Sequence, residues 1–260
     1  MADTMHAIYA ASRNLYPYLP AAYMSFIESN PDSQVWLFIE DDELPYKTPE
    51  NVECVNCSKQ KFWGKDCVNI TTGYTYLSLM RATYAKLFTG KPNKYGIRTL
   101  PKLDKVFQFD VDTYVLENLR VLWDLDMSDK YFGAVEEYLS TWKPFGPKYW
   151  NLGVALFGLE AIRRDKIDDE VIEDLKKTKY GWIDQDAFCK IGAEHPDKVY
   201  DFGIRYNECF CCGATVRPAI VHLCAEIDRY KGVDVYRAHY RDRFTHYNQE
   251  EACAAAGIKF

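Results

Sequence analysis

The stretch Gln34 to Asp42, QVWLFIEDD, is apolar through five consecutive residues and then stops on acids. A strand with one wet face alternates apolar and polar residues. One without that alternation must be covered on both faces, as strands of parallel sheets are. Lys105 to Asp112, KVFQFDVD, follows the same plan and ends on Asp110 and Asp112. Shorter runs at 5–11, 51–57, 131–137, 150–159 and 219–224 read as further strands. Helical patterns are expected over 18–30, 74–88 and 167–177, the last with Ile167, Val171, Ile172 and Leu175 on one face. Strands alternating with helices through the first half predict right-handed βαβ units. The expected fold is α/β, a mostly parallel central sheet flanked by helices. Neither a repeat nor a low-complexity linker divides the chain, so a single domain is expected. With 260 residues and 48% hydrophobic composition it can fill one large core.

In open α/β sheets, ligands bind beyond the carboxyl ends of the strands. Asp110 and Asp112 stand at such an end, and residues i and i+2 of an extended segment point the same way. Two carboxylates held together repel, and one stays protonated unless a cation lies between them. Hard oxygen ligands suit Mg²⁺, Mn²⁺ or Ca²⁺. The alternative is a pair of solvated turn aspartates ending a strand. The turn after the first strand, Ser12 to Asn14, is expected near the acid pair. A net charge of −6 argues against a nucleic-acid binder, which needs a basic face. No apolar run approaches the roughly 18 residues of a membrane span. The start lacks the basic and apolar regions of a signal peptide, so the expected location is cytoplasmic. Nine cysteines, an odd number, argue against a complete disulfide framework. Cys54-x-x-Cys57 has a spacing acceptable for zinc, but the later Cys209, Cys211 and Cys212 offer no matching pair. Cysteine also serves as a small hydrophobe.

Four segments in order, KVFQFDVDTYVLENLRVLWDLDM (105–127), YWNLGVALFGLEAIRR (149–164), WIDQDAFC (182–189) and IVHLC (220–224), resemble elements of family 8 glycosyltransferases. These are retaining enzymes of the GT-A fold that include bacterial lipopolysaccharide galactosyl- and glucosyltransferases. The resemblance runs over roughly residues 5 to 232. It implies a Rossmann-like GT-A domain over 1–232 and a C-terminal helical tail over 233–260 packed on it. The implied reaction moves a hexose from UDP-glucose or UDP-galactose to a hydroxyl of a glycan or lipid-linked saccharide.

Under that resemblance Asp110 and Asp112 are metal ligands and His222 completes the site. A nitrogen among carboxylate oxygens shifts preference toward Mn²⁺, with Mg²⁺ as a substitute. Ala10, Ser12 and Asn14 match the nucleoside-binding first turn, Ser12 standing where many members carry aspartate. Asp110 and Val111 join the cofactor contacts. TYAKL (83–87) resembles the family's T-Y-x-R-L segment, so Lys86 replaces a donor-binding arginine and loses its fork. Arg81, about one turn earlier, could substitute. Asn151 and Asp184 are expected at the donor sugar, and Gln185 places its amide near the anomeric carbon. Asp184 and Gln185 are the expected catalytic residues. An amide is a poor nucleophile, so the implied route is front-face substitution without a covalent intermediate. After His222 the run HLCAEIDRYKG departs from the family's glycine and lysine-proline-tryptophan. Lys231, or else Arg229, is expected on the diphosphate.

The tail interleaves Tyr236, Tyr240, Phe244 and Tyr247 with basic residues at helical spacing. The stripe either packs on the core or makes weak peripheral contact with an anionic membrane surface. Two rivals to sugar transfer use the same fold: a nucleotide-sugar hydrolase and a non-catalytic sugar-nucleotide-binding module. A nucleotidyltransferase would open with a Gly-rich loop, and AASRNLYPY (10–18) contains no glycine.

Overall fold

The computed structural model describes residues 3–70 and 75–224. Its first half alternates strand and helix: β1 (Met5–Ala10), α1 (Leu19–Ser29), β2 (Ser33–Ile39) and β3 (Val52–Asn56). Then come the short helices α2 (Tyr76–Leu79) and α3 (Tyr84–Leu87), β4 (Lys105–Phe109), β5 (Thr113–Val115) and α4 (Arg120–Trp123). The second half adds β6 (Phe132–Glu136), β7 (Trp150–Gly158), α5 (Leu159–Asp165), α6 (Ile167–Lys177), α7 (Ile183–Glu194), β8 (Val199–Phe202) and β9 (Ile220–His222). Seven strands form one sheet in the order β3-β2-β1-β4-β7-β6-β8. The block β3-β2-β1-β4 is parallel, and so is the β6–β8 pair. Only β7 runs against its neighbours. This is the mostly parallel α/β sheet expected.

The unbroken apolar runs are explained by two cores, one on each sheet face. Trp36 and Phe38 of β2 pack into one, together with Ile8 of β1. Val35, Leu37 and Ile39 enter the other with Ala7, Tyr9 and Phe26. Successive side chains of a strand point to opposite faces, so both sets must be apolar. Helix α6 buries Ile167, Val171, Ile172 and Leu175, as its periodicity predicts. Its first turn carries Asp168, Asp169 and Glu170 and its last turn Lys176 and Lys177, matching the helix dipole.

Three expectations are corrected. The helix expected over 74–88 is broken: Met80–Thr83 forms a 3₁₀ turn between α2 and α3. Thr83 Oγ1 donates to Met80 O at 2.7 Å, a local bond that competes with regular helix. Strands β5 and β8 carry too few residues to show a period and were not foreseen. The strand expected at 219–224 is shorter and stands outside the main sheet, paired only with β5. The zinc spacing Cys54-x-x-Cys57 also dissolves: Cys54 borders one core and Cys57 is buried in the other, on opposite sheet faces.

Candidate active site

Strands β1 and β4 are parallel neighbours, with Tyr9 beside Phe109, so their carboxyl ends lie together. Ser12 to Asn14 and the acid pair therefore share one end of the sheet. Asp110 and Asp112 do not sit on the strand itself. Strand β4 stops at Phe109 and the chain turns, with Thr113 N donating to Asp110 O at 3.1 Å. The convergence comes from that turn and from β5, whose Thr113 pairs with His222 of β9. His222 Nε2 lies 3.3 Å from Asp112 Oδ1 and 3.8 Å from Asp110 Oδ2. All three residues can offer ligand atoms within 4.8 Å of one another.

That spacing fits a divalent cation, since ligands about 2.2 Å from one ion stand roughly 3 Å apart at right angles. The electrostatics agree. Burial disfavours a charged imidazole, yet Asp112 and Asp110 outweigh it and hold the His222 pKa up at about 10. A proton thus balances the carboxylates where a cation could. Two further contacts hold the ring. Asn207 Oδ1 lies 3.0 Å from Nδ1, which directs the Nδ1 hydrogen to Asn207 and leaves Nε2 for the acids. Gly153 lies flat against the ring, and a Cβ there would come 2.0 Å from Cε1.

Asn151 ties these parts together. Its Oδ1 accepts from Gly153 N and from Asn207 Nδ2, and its Nδ2 donates to Glu137 Oε1 at 2.9 Å. The amide is thereby committed to protein contacts. Gln185 is fixed as firmly: Oε1 accepts from Leu152 N at 3.0 Å and Nε2 donates to Glu137 Oε1 at 3.1 Å. Glu137 and Asn207 were not foreseen. Glu137 ends the run YFGAVEE, the same apolar-strand-then-acid signal that marks Asp110, and could have been found by it. Asn207 sits in a loop and carries no local signal.

Arg81 crosses the site from the 3₁₀ turn. Its Nη2 lies 2.7 Å from Asp110 Oδ1 and its Nη1 3.0 Å from Asp184 Oδ2. Burial raises the Asp184 carboxyl to about 6 even though Arg81 pulls it down. Asp184 Oδ2 is buried, and its partner there is the Arg81 ion pair. Just before it, Ile183 has a φ of +37°, a left-handed conformation that a β-branched residue avoids. The last acid of the D-Q-D run has a different task. Asp186 accepts from Gly181 N, Trp182 N, Trp142 Nε1 and Tyr149 OH, holding the start of α7.

Lys86 stands elsewhere. Its ammonium pairs with Asp169 at 2.8 Å and Asp168 at 3.6 Å, on α6, so Arg81 is the cation placed at the acid pair. Ala10 and Val111 flank the strand ends, Val111 buried and Ala10 partly so. Ser12 Oγ donates to Asn14 Oδ1 at 2.6 Å, an exposed pair. Arg13 beside them forks onto Asp41 at the end of β2. Lys231, Arg229 and the tail over 233–260 lie outside the described residues. Exposed Tyr138, Leu139, Trp142 and Trp182 belong to the segments that carry Glu137 and Asp184.

The model of glycosyl transferase family 8 matches residues 6–224. The chain belongs to glycosyltransferase family 8. A putative glycosyltransferase of Haemophilus influenzae is 26% identical over 193 residues, covering 67% of this chain and 54% of that protein. The chain thus spans about half the length of that relative. Among solved structures, the family 8 chain resembles the galactosyltransferase LgtC in complex with donor and acceptor sugar analogues. The TM-score is 0.62 at 18% identity, over 97% of this chain and 95% of that one. The glycosyltransferase GlyE of Streptococcus pneumoniae TIGR4 gives a TM-score of 0.63 at 15% identity, over 96% and 64%. Mouse xyloside xylosyltransferase 1 gives 0.58 at 14%, over 87% and 99%. At these identities the likeness is one of fold. No described helix is long and apolar enough to cross a membrane.

Proposed function

We propose that this protein transfers a hexose from a UDP-linked donor to an acceptor hydroxyl with retention of configuration, and that it depends on Mn²⁺. The observation that carries this reading is the convergence of Asp110, Asp112 and His222, with Arg81 tying Asp184 to Asp110 beside them. Asp110, Asp112 and His222 would hold the cation, which when bound grips a diphosphate and absorbs charge as the nucleotide leaves. Asp184, ionised above about pH 6, accepts from a hydroxyl of the donor sugar. Gln185 cannot swing freely, because Leu152 N and Glu137 hold both ends of its amide. It presents a fixed dipole and no nucleophile, so the face opposite the leaving group stays blocked to covalent attack. The anomeric C–O bond breaks with its electron pair passing to phosphate. The acceptor oxygen bonds on the same face, and its proton passes to the departing phosphate oxygen. Trp142 and Trp182, exposed on the segments around α7, are suited to stack on an acceptor sugar.

Three outcomes test the reading. Proton NMR of fresh product from an α-linked UDP-hexose should show an α-linkage, and a β-linked product would exclude front-face substitution. A donor panel of UDP-glucose, UDP-galactose and UDP-N-acetylglucosamine, run with and without acceptor, separates transfer from hydrolysis and from binding alone. The third outcome concerns protons. His222 keeps its proton up to about pH 10 in the metal-free protein, and that proton must leave before Nε2 can ligate. Apparent Mn²⁺ affinity should therefore rise about tenfold per pH unit between roughly pH 7 and 9. Calorimetry in buffers of different ionisation enthalpy should count one proton released per ion. A flat pH dependence would remove His222 from the ligand set.

A further inference from the structure

Four of the nine cysteines meet at one point directly behind the acid pair. Cys209, Cys211 and Cys212 can each offer a sulfur within 4.8 Å of the others, and Cys209 and Cys224 stand in the same relation. Cys209 Sγ is 3.2 Å from Cys211 Sγ, and Cys211 Sγ is 3.9 Å from Cys224 Sγ. The Cys209 thiol lies within hydrogen-bonding reach of all three others. Cys209, Cys211 and Cys212 are buried and Cys224 is partly buried. Nothing in the sugar-transfer reading uses them.

The local backbone has the form of a metal knuckle. Cys209-x-x-Cys212 is followed by Gly213 at φ +119°, and Gly213 N donates to Cys209 O at 2.8 Å. This closes a tight turn that only glycine enters easily. The turn aims Cys212 N at Cys209 Sγ at 3.4 Å. Asn151 Nδ2 reaches Cys211 Sγ at 3.5 Å. N–H groups pointed at sulfurs are what thiolates need as a surrounding shell. Sulfurs about 2.3 Å from one tetrahedral ion stand roughly 3.8 Å apart. Cys211 and Cys224 match that at 3.9 Å, and Cys209 and Cys211, at 3.2 Å, would open slightly around the ion.

We propose that Cys209, Cys211, Cys212 and Cys224 bind a structural zinc ion, distinct from the cation site of Asp110, Asp112 and His222. Soft thiolates select zinc where the carboxylates select a hard ion. The ion ties the 209–213 turn to the chain leaving β9. It thereby holds Asn207 and His222, which flank those two segments, in the positions the acid pair requires. A pair of disulfides would use the same sulfurs in twos. Cys209–Cys211 and Cys211–Cys212 are too close in sequence to bridge without strain, which leaves Cys209–Cys212 with Cys211–Cys224 as the rival, and the mass of the chain decides against or for it.

The full chain, purified under reducing conditions and treated with a chelator strong enough to strip the carboxylate site, should retain about one zinc per chain by elemental analysis. Asp112→Asn should retain it too, and Cys212→Ser should lose nearly all of it. Should Cys212→Ser fail to fold, wild-type chain refolded with Co²⁺ should show the visible bands and near-ultraviolet charge transfer of a tetrahedral thiolate complex. Zinc-free wild type with free thiols would overturn the proposal. So would a mass short by the hydrogens a disulfide loses, full zinc in Cys212→Ser, zinc loss in Asp112→Asn, or a cobalt spectrum without thiolate bands. None of these readouts depends on sugar transfer, so failure here leaves that reading untouched.

Discussion

Asp112→Asn should lower metal-dependent release of UDP by on the order of 10³-fold or more while leaving the fold intact, because several kcal/mol of leaving-group stabilisation pass through the bound cation. Asparagine keeps the shape and one oxygen but loses the charge, and Asp112 is the acid nearer His222 Nε2. The same end should be reached from a residue that touches no ligand. Gly153→Ala puts a methyl 2.0 Å from His222 Cε1, and the ring must turn or leave. It should therefore copy the Asp112→Asn loss of Mn²⁺ affinity. Both are checked by turnover against Mn²⁺ concentration, with circular dichroism as the folding control. Full activity of Asp112→Asn in chelator would sink the metal-dependent mechanism. Normal Mn²⁺ affinity in Gly153→Ala would mean that His222 is not a ligand.

The second large effect is expected at Arg81. Its side chain is 9% exposed and faces Asp184 at 6%, with Asp110 beyond. Removing one partner of a buried pair leaves the other uncompensated, a cost of about 3 kcal/mol or more. Arg81→Ala should therefore lower the melting temperature by roughly 6 °C or more at pH 7.5. The pH dependence follows from Asp184. Its folded pKa, about 6, stands above the unfolded value, so the folded state binds the proton more tightly. Stability from this group is thus lost as pH rises through that window. Without Arg81 the folded pKa climbs further, so the gap between variant and wild type should widen from pH 5.5 to 7.5. Arg81→Lys should restore part of the stability but little of the activity, since one ammonium cannot span both carboxylates. An equal penalty at both pH values would show that Asp184 is not the group Arg81 compensates.

Local chain chemistry determined a good deal of this protein by itself. Runs such as QVWLFIEDD declare strands buried on both faces, since alternate residues must each meet a core. The bounds of α6 follow from its apolar period, and the acids closing KVFQFDVD mark the functional end of the sheet. These are properties of neighbouring residues and need no knowledge of the fold. Tertiary structure decided which distant groups meet. Arg81 and Lys86 are both helical cations in sequence, but the 3₁₀ turn and α6 send one to the acid pair and the other to Asp168 and Asp169. Strand β9 lies in a run that reads as a strand, but nothing local names its partner, and its pairing with β5 carries His222 to Asp112. Cys224 looks isolated in the chain and stands 3.9 Å from Cys211 in space. Each of these meetings joins segments across a turn or a second sheet. Their cause lies in which surfaces the two cores cover, and that is a property of the whole chain.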